Sequence, residues 1–267
     1  MRASVIALKC SIALLLTGMS FNVLADSYEQ GLVAYTQGDY QQAALHFKSA
    51  AKQGDAGARH MLMRLYNEQN VSINDHERNH KQSVYWTRQA ALSGIVPAQF
   101  ALAEHYNRAN ASQQDLQQAV HWYQQASRQG HHGAMEKLGD FYQQGIVVEQ
   151  DSRRADRLYQ VAASEYDVFA QKGDAAAQNS LAGMYENARG VQRNIPRAID
   201  WYKKAALQEF ALAQYNLGRM FAQGVHVDKN VEEAAYWLRK AAGQGLEQAK
   251  LLLTELGQST DTNVAMK

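Results

Sequence analysis

A nine-residue pattern, A-x-x-x-L-(G/A)-x-x-(Y/F), returns along most of this chain, and nothing else in the sequence limits its fold as tightly. The pattern opens at Ala58, Ala98, Ala134, Ala177 and Ala213, with successive spacings of 40, 36, 43 and 36 residues. Ala249 opens a last half-unit, AKLLLTELG. Positions 1, 5, 8 and 9 of the pattern are small or apolar and share one face at 3.6 residues per turn, so each segment predicts an amphipathic helix.

A second pattern alternates with the first. ALHFKSAA, SVYWTRQAA, AVHWYQQAS, ADRLYQVAA, AIDWYKKAA and AAYWLRKAA place a small residue three positions before a large one and close on a small pair. All four tryptophans, Trp86, Trp122, Trp201 and Trp237, occupy one position of this element. That register predicts core packing rather than a ligand-stacking ladder. Four residues ahead of each second helix's first small residue (Ala43 in the first unit) stand Asp39, Asn79, Asp115, Asp151, Asn194 and Asn230, which are predicted to cap those helices. Gly54, Gly94, Gly130, Gly173 and Gly245 follow the helices and suit a left-handed C′ residue, whereas Glu209 takes that place in the fifth unit at a cost of about 1 kcal/mol.

A lone helical hairpin cannot bury its apolar face, so stacked hairpins are expected. The reading is an all-α, right-handed α/α superhelical solenoid of six hairpins and a C-terminal capping helix. An N-terminal unit covers 26–57, five repeats follow at 58–97, 98–133, 134–176, 177–212 and 213–246, a capping helix covers 247–256, and 257–267 is a flexible tail. The fourth repeat gains seven residues between Ala163 and Gly173. Seven residues are about two helical turns, which predicts a longer second helix that projects and exposes Tyr166 and Phe169 as an accessory contact. Only Pro97 and Pro196 could interrupt helices.

Residues 1–25 have the order of a secretory signal: basic Arg2 and Lys9, an apolar run around Ile12 to Leu16, then Val23-Leu24-Ala25 before Asp26. A retained anchor fits less well, because polar residues interrupt the short apolar run. The expected mature chain is periplasmic or secreted, without a stable membrane anchor. It lacks cysteine, since Cys10 is the only one, and keeps 25 Lys and Arg against 26 Asp and Glu. That balance gives no global attraction to nucleic acid or anionic lipid.

These residues resemble the SEL-one-like repeat (SLR) family of tetratricopeptide-type solenoids. AQYNLGRMFAQGVHVDKNVEEAAYWLRKAAGQG follows the family pattern closely, with His226 at its second loop glycine. The unit from Ala177 keeps Gly190-Val191 but has Ala188 at the first glycine, and the unit from Ala58 carries a long loop, NEQNVSINDHERNH. The resemblance implies an adaptor that binds a protein or peptide on its concave face, in envelope signalling, host contact or assembly. It also leaves open an enzyme or small-molecule binder acting on cell-wall material or β-lactams, and a structural part of an envelope machine. The paired cysteines of the β-lactam-linked subgroup are missing.

No phosphate-binding loop, nucleophile elbow or H-E-x-x-H motif occurs, so no catalytic residue, cofactor or metal is assigned. His76 and His80 are four apart but lie in the polar loop without a third ligand, and His131-His132 reads as a solvated turn. In solenoids of this type, first helices line the groove. Their positions 3, 7 and 10 lie opposite the core stripe. The partner-binding candidates there are His60, Arg64, Phe100, Glu104, Glu136, Asp140, Asn179, Tyr215 and Arg219. They predict a groove basic at its ends and acidic in the middle, with Phe100 and Tyr215 as exposed aromatic anchors, and a monomer or weak dimer.

Overall fold

The computed structural model describes residues 27–67 and 76–265, with the side chains of 76–79 and 258–265 excepted. Among the described residues every regular element is a helix, and there is no strand. The helices are α1 (27–36), α2 (Tyr40–Lys52), α3 (Ala56–Asn67), α4 (His76–Leu92), α5 (Val96–Tyr106), α6 (Gln113–Arg128), α7 (His132–Gln144), α8 (Ser152–Gln171), α9 (Ala175–Asn187), α10 (Ile195–Leu207), α11 (Ala211–Gln223), α12 (Val231–Gly243) and α13 (Glu247–Ala265). They fall into two compact units, Met1–Ala134 and Met135–Lys267. In the first, α2 through α6 pack in chain order; in the second, α8 through α13 do the same, and α11 also reaches α13.

The two sequence patterns build the core of both units. Ala58, Ala98, Ala134, Ala213 and Ala249 are fully buried and Ala177 nearly so, and Leu62, Leu102, Leu138, Leu181 and Leu217 lie beneath them. Burying one such leucine stabilises by roughly 1.5–3 kcal/mol. In four of the five, a small residue follows that leucine and admits the neighbouring helix; after Leu62 stands Met63. A Cβ on Gly218 would stand 2.5 Å from Leu238, and one on Gly139 would stand 2.6 Å from the Tyr159 ring. Trp86, Trp122 and Trp237 are buried as their shared register predicts, and Trp201 packs half-buried against the core around Tyr202.

Helix starts match the Asx prediction in part. Asp39, Asp151, Asn194 and Asn230 accept from Gln42, Arg154, Arg197 and Glu233 backbone N–H groups. Two expected caps are corrected. Asn79 lies inside α4, because that helix already begins at His76 within the segment read as loop. Asp115 is the third residue of α6, where Ser112 is the cap and Asp115 completes a capping box with it. First helices carry caps that the Asx register did not reveal. Ala58 and Ala177 N–H groups donate to Asp55 and Asp174, and Ala134 N–H donates to His131 Nδ1 at 3.1 Å.

A ladder of buried glutamines ties second helices to one another. Gln99, Gln178 and Gln214 occupy position 2 of the first pattern and are at most 5% exposed. Each Nε2 donates to the carbonyl eight residues earlier, at Ala91, Ala170 and Ala206. Each Oε1 accepts from a glutamine 30 residues later, Gln129, Gln208 and Gln244, at 2.8 Å in every case. At the first rung the chemistry changes hands: Arg59 donates to Ala51 O and to Ser93 Oγ. At the third, the position holds Met135.

The five C′ glycines all have positive φ, and Glu209 adopts φ 62° in the same place. Val147, Ala188 and His226 also sit at positive φ, at 53°, 57° and 65°, in the loops between paired helices. There Gly190 is dictated by close approach, since a Cβ would lie 2.3 Å from the backbone of Tyr159. The final helix extends to Ala265, through most of the segment predicted as a flexible tail.

Candidate functional site

The first-helix residues predicted to line a groove separate into two groups, one in each unit, and the structure treats them differently. In the unit ending at Ala134, a cavity of about 300 Å³ opens between α3, α4 and α5, and of the predicted His60, Arg64, Phe100 and Glu104 only Glu104 lines it. Asn67 enters from α3, Ser83 and Thr87 from α4, and Leu102, Glu104 and His105 from α5. Leu102 is buried and, with Val84 and Ala101, gives the apolar part of the lining, while Asn67, Thr87, Glu104 and His105 present polar groups. His80 also borders the cavity, placed by α4 rather than by a loop, with its ring 5.7 Å from that of His105. Burial first, and the charges of Arg108 and His80 next, lower the His105 pKa and favour the neutral imidazole. His60 is likewise lowered, by burial and then Arg64. The Arg64 guanidinium donates to Tyr35 Oη at 3.4 Å and lies 5.9 Å from that ring's centroid.

Phe100 is not an exposed anchor. Its ring stacks on His131 at 4.3 Å and tilts against Tyr123 at 5.9 Å, so it is half-buried inside the unit. His131 is correspondingly not a solvated turn residue. Burial, then the neighbouring His132, pushes its pKa down to about 4, and the neutral ring's Nδ1 is thereby free to accept the Ala134 N–H. Glu104 accepts from the Tyr123 hydroxyl, which in turn accepts from Asn107 Nδ2 at 3.2 Å.

In the unit beginning at Met135, the predicted acidic stretch is neutralised from within. Tyr166 Oη donates to Glu136 Oε2 at 3.0 Å, and Tyr159 Oη donates to Asp140 Oδ1 at 2.7 Å. Arg189, from the loop after α9, bridges both carboxylates at 3.4 and 3.0 Å. One repeat on, Tyr202 donates to Glu186 at 2.9 Å, and Arg219 Nη2 reaches both oxygens of the same carboxylate at 2.7 and 3.0 Å. Burial raises the Glu136 pKa, with the Asp140 charge adding to it, against the opposing pull of Tyr166 and Arg189. Burial and the facing carboxylates raise Tyr159 and Tyr202 well above the ordinary phenol range, so both remain donors. Burial opposes charge on Arg219, but the bond to Glu186 and the charges of Glu186, Tyr202 and Tyr215 together outweigh it, and the guanidinium is held more firmly charged.

Three expectations are therefore corrected here. Tyr166 is buried against Glu136, although α8 is as long as the insertion predicts at 20 residues; Phe169 is the member of that pair left partly exposed. Tyr215 is half-buried against the core around Leu238 rather than free as an anchor. Asn179 bonds to Asn216 at 2.9 Å. Sequence reasoning missed Arg189, Tyr159 and Tyr202. The signal for the tyrosines was present, since Tyr123, Tyr159 and Tyr202 share one register in the second helices, four residues after Ala119, Ala155 and Ala198, but the carboxylate each one meets is set by three-dimensional packing.

Among the described residues, no group of three His, Cys, Asp or Glu side chains is placed to hold a metal ion. No described helix is long and apolar enough to cross a membrane.

The Sel1 repeat model matches the chain six times, at residues 22–55, 73–95, 96–131, 132–167, 175–210 and 211–246. The gap at 168–174 coincides with the added turns of α8. Among solved structures, the chain is similar to a Sel1 repeat protein from Oxalobacter formigenes, at 27% identity over 83% of this chain and 86% of that one, with a TM-score of 0.55. It is similar to c5321, a protective antigen of uropathogenic Escherichia coli strains displaying an SLR fold, at 29% identity over 87% of this chain and 48% of that one, TM-score 0.50. A putative sel1 repeat protein from Klebsiella pneumoniae shares the fold at 21% identity, over 80% and 99% of the two chains, TM-score 0.50. No curated protein matches. With repeats matched over most of its length and an all-helical fold shared with these structures, the chain belongs to the Sel1 repeat family, whose members generally serve as protein-interaction scaffolds.

Proposed function

We propose that this protein is an exported adaptor that binds a protein or peptide partner, and that its primary contact is the first-helix face of the unit ending at Ala134. The observation that carries this reading is the cavity between α3, α4 and α5. It has an apolar interior at Leu102 and polar groups at Asn67, Glu104 and His105, and a volume suited to one inserted side chain. The corresponding charges of the second unit are already paired with Arg189 and Arg219, so they have less to offer a partner. Support for export comes from the order of charges and apolar residues in 1–25. The absence of a catalytic sequence motif favours binding over catalysis, and a periplasmic or secreted monomer or weak dimer is the form we expect.

Photo-crosslinking tests the reading. A crosslinkable residue at Ser83 or His105 in the full chain, expressed in its native envelope, should trap one protein species. The same residue at exposed Val161 on α8 should not. Leu102→Lys or His105→Glu should then reduce recovery of that species. Equal trapping from both faces removes this groove from the account.

A further inference from the structure

The added turns of α8 create a second feature, within the unit beginning at Met135. Asp167 and Gln171 of those turns line a cavity of about 450 Å³ together with residues of α9 and α10. That volume lies in the range of small-ligand sites, roughly 300–1,000 Å³. Two aromatic rings border it, Tyr185 from α9 and Trp201 from α10. Along α10, Arg197, Asp200 and Lys204 recur at helical spacing and complete the lining.

The chemistry of this lining narrows the ligand. Two carboxylates, Asp167 and Asp200, stand against two cations, Arg197 and Lys204, so the cavity has no net charge with which to select an ion. Its charged rim also disfavours an apolar guest. It does offer acceptors and donors side by side. Gln171 Nε2 donates to Asp167 at 2.6 Å, and Arg197 Nη1 donates to Tyr185 Oη at 3.2 Å. No ion pair holds Asp200 among the described residues, so its carboxylate is available to accept. The aromatic faces provide a surface for C–H groups. Lys204 Nζ covers the Trp201 ring at 3.9 Å, an exposed cation–ring contact weak enough for a ligand to displace.

We propose that this cavity binds a neutral saccharide, one or two pyranose units of an uncharged glycan. Trp201 lies under the C–H face of the sugar, Asp167 and Asp200 accept from its hydroxyls, and Arg197 and Gln171 donate to them. Planar polar side chains of this kind can bridge adjacent hydroxyls, which neither a simple ion nor a hydrocarbon requires. Gln171 falls in the stretch 168–174 that the repeat model leaves unmatched, so the site is a property of this chain and not of the repeat.

The full chain, labelled with nitrogen-15, is titrated with maltotriose, cellotriose and chitotriose, and with acetate and tetramethylammonium as charged controls. One trisaccharide is expected to shift the Trp201 indole resonance and the amides of 167–171 with a Kd of about 1 mM or tighter, while the indoles of Trp86, Trp122 and Trp237 stay put. The double variant Asp167→Ala/Asp200→Ala, at one half-buried and one exposed position, should keep its spectrum outside the site and weaken binding roughly tenfold. Lys204→Ala should retain or tighten binding by uncovering the ring. The proposal is overturned if no trisaccharide moves Trp201 at about 10 mM, if binding survives the double variant, or if a charged control saturates the same resonances equally well.

Discussion

Tyr166 donates its hydroxyl proton to Glu136 Oε2 across 3.0 Å, joining the end of α8 to the start of α7. The bond turns an insertion that was expected to reach outward into one that anchors inward. Tyr166→Phe should cost about 1–2 kcal/mol in urea unfolding, since it strips a partly charged acceptor of its donor. Burial holds the Glu136 pKa above 4.5, so the folded form keeps that proton to higher pH than the unfolded chain does. The stability linked to this group is full below 4.5 and is lost as pH rises through its folded value. Glu136→Gln should therefore gain on the parent in thermal unfolding as pH rises toward neutrality. A gain that is constant from pH 4 to 8 would contradict the assignment.

His131 gives the opposite dependence. Its folded pKa of about 4 lies below the ordinary 6.5, so the unfolded chain takes up a proton first as pH falls. Stability contributed by His131 is complete above 6.5 and declines between 6.5 and about 4. His131→Asn keeps a capping acceptor without a titrating ring. Denaturation midpoints across that window should be flatter in the variant than in the parent; parallel curves would assign the acid sensitivity elsewhere.

Gln214 is 1% exposed and serves both directions of the glutamine ladder. Gln214→Ala removes a donor from Ala206 O, an acceptor from Gln244, and leaves a void. The expected loss is about 2–3 kcal/mol by chemical denaturation. Gln244→Ala, at a more exposed position, should lose less, about 1 kcal/mol.

Glu209 holds a left-handed conformation with its side chain exposed. Glu209→Gly should stabilise by about 1 kcal/mol, because glycine enters that region without a Cβ penalty. Calorimetry on the single variant checks the sign. A fall in Tm would mean that the Glu209 side chain contributes more than its backbone costs.

The hairpins, their alanine and leucine core and the C′ glycines were legible because each rests on a local period, repeated often enough to exclude chance. The long α8 was legible for the same reason: seven residues preserve helical phase. What escaped was set by distance in the chain. Glu136 and Asp140 read as a free acidic surface because Arg189, which neutralises them, stands about 50 residues later in a loop with no periodic mark. Phe100 read as an anchor because nothing near it announces the stack with His131. The caps failed at Asn79 and Asp115 where a helix begins earlier than its register implies, once because α4 already begins at His76 and once because Ser112 is the better-placed cap.

The glutamine ladder also bears on how such a chain can lengthen. From Gln178 to Gln214 is one 36-residue period with matching donors and acceptors at both ends. A copy of that period inserted in frame would find its partners on either side, so duplication there is a near-neutral step. The joint at Arg59 and Ser93 is keyed differently: a glutamine-type cassette placed against it meets a hydroxyl where it needs an amide. Growth by duplication is thus open along one part of the array and barred at another, by the identity of two side chains.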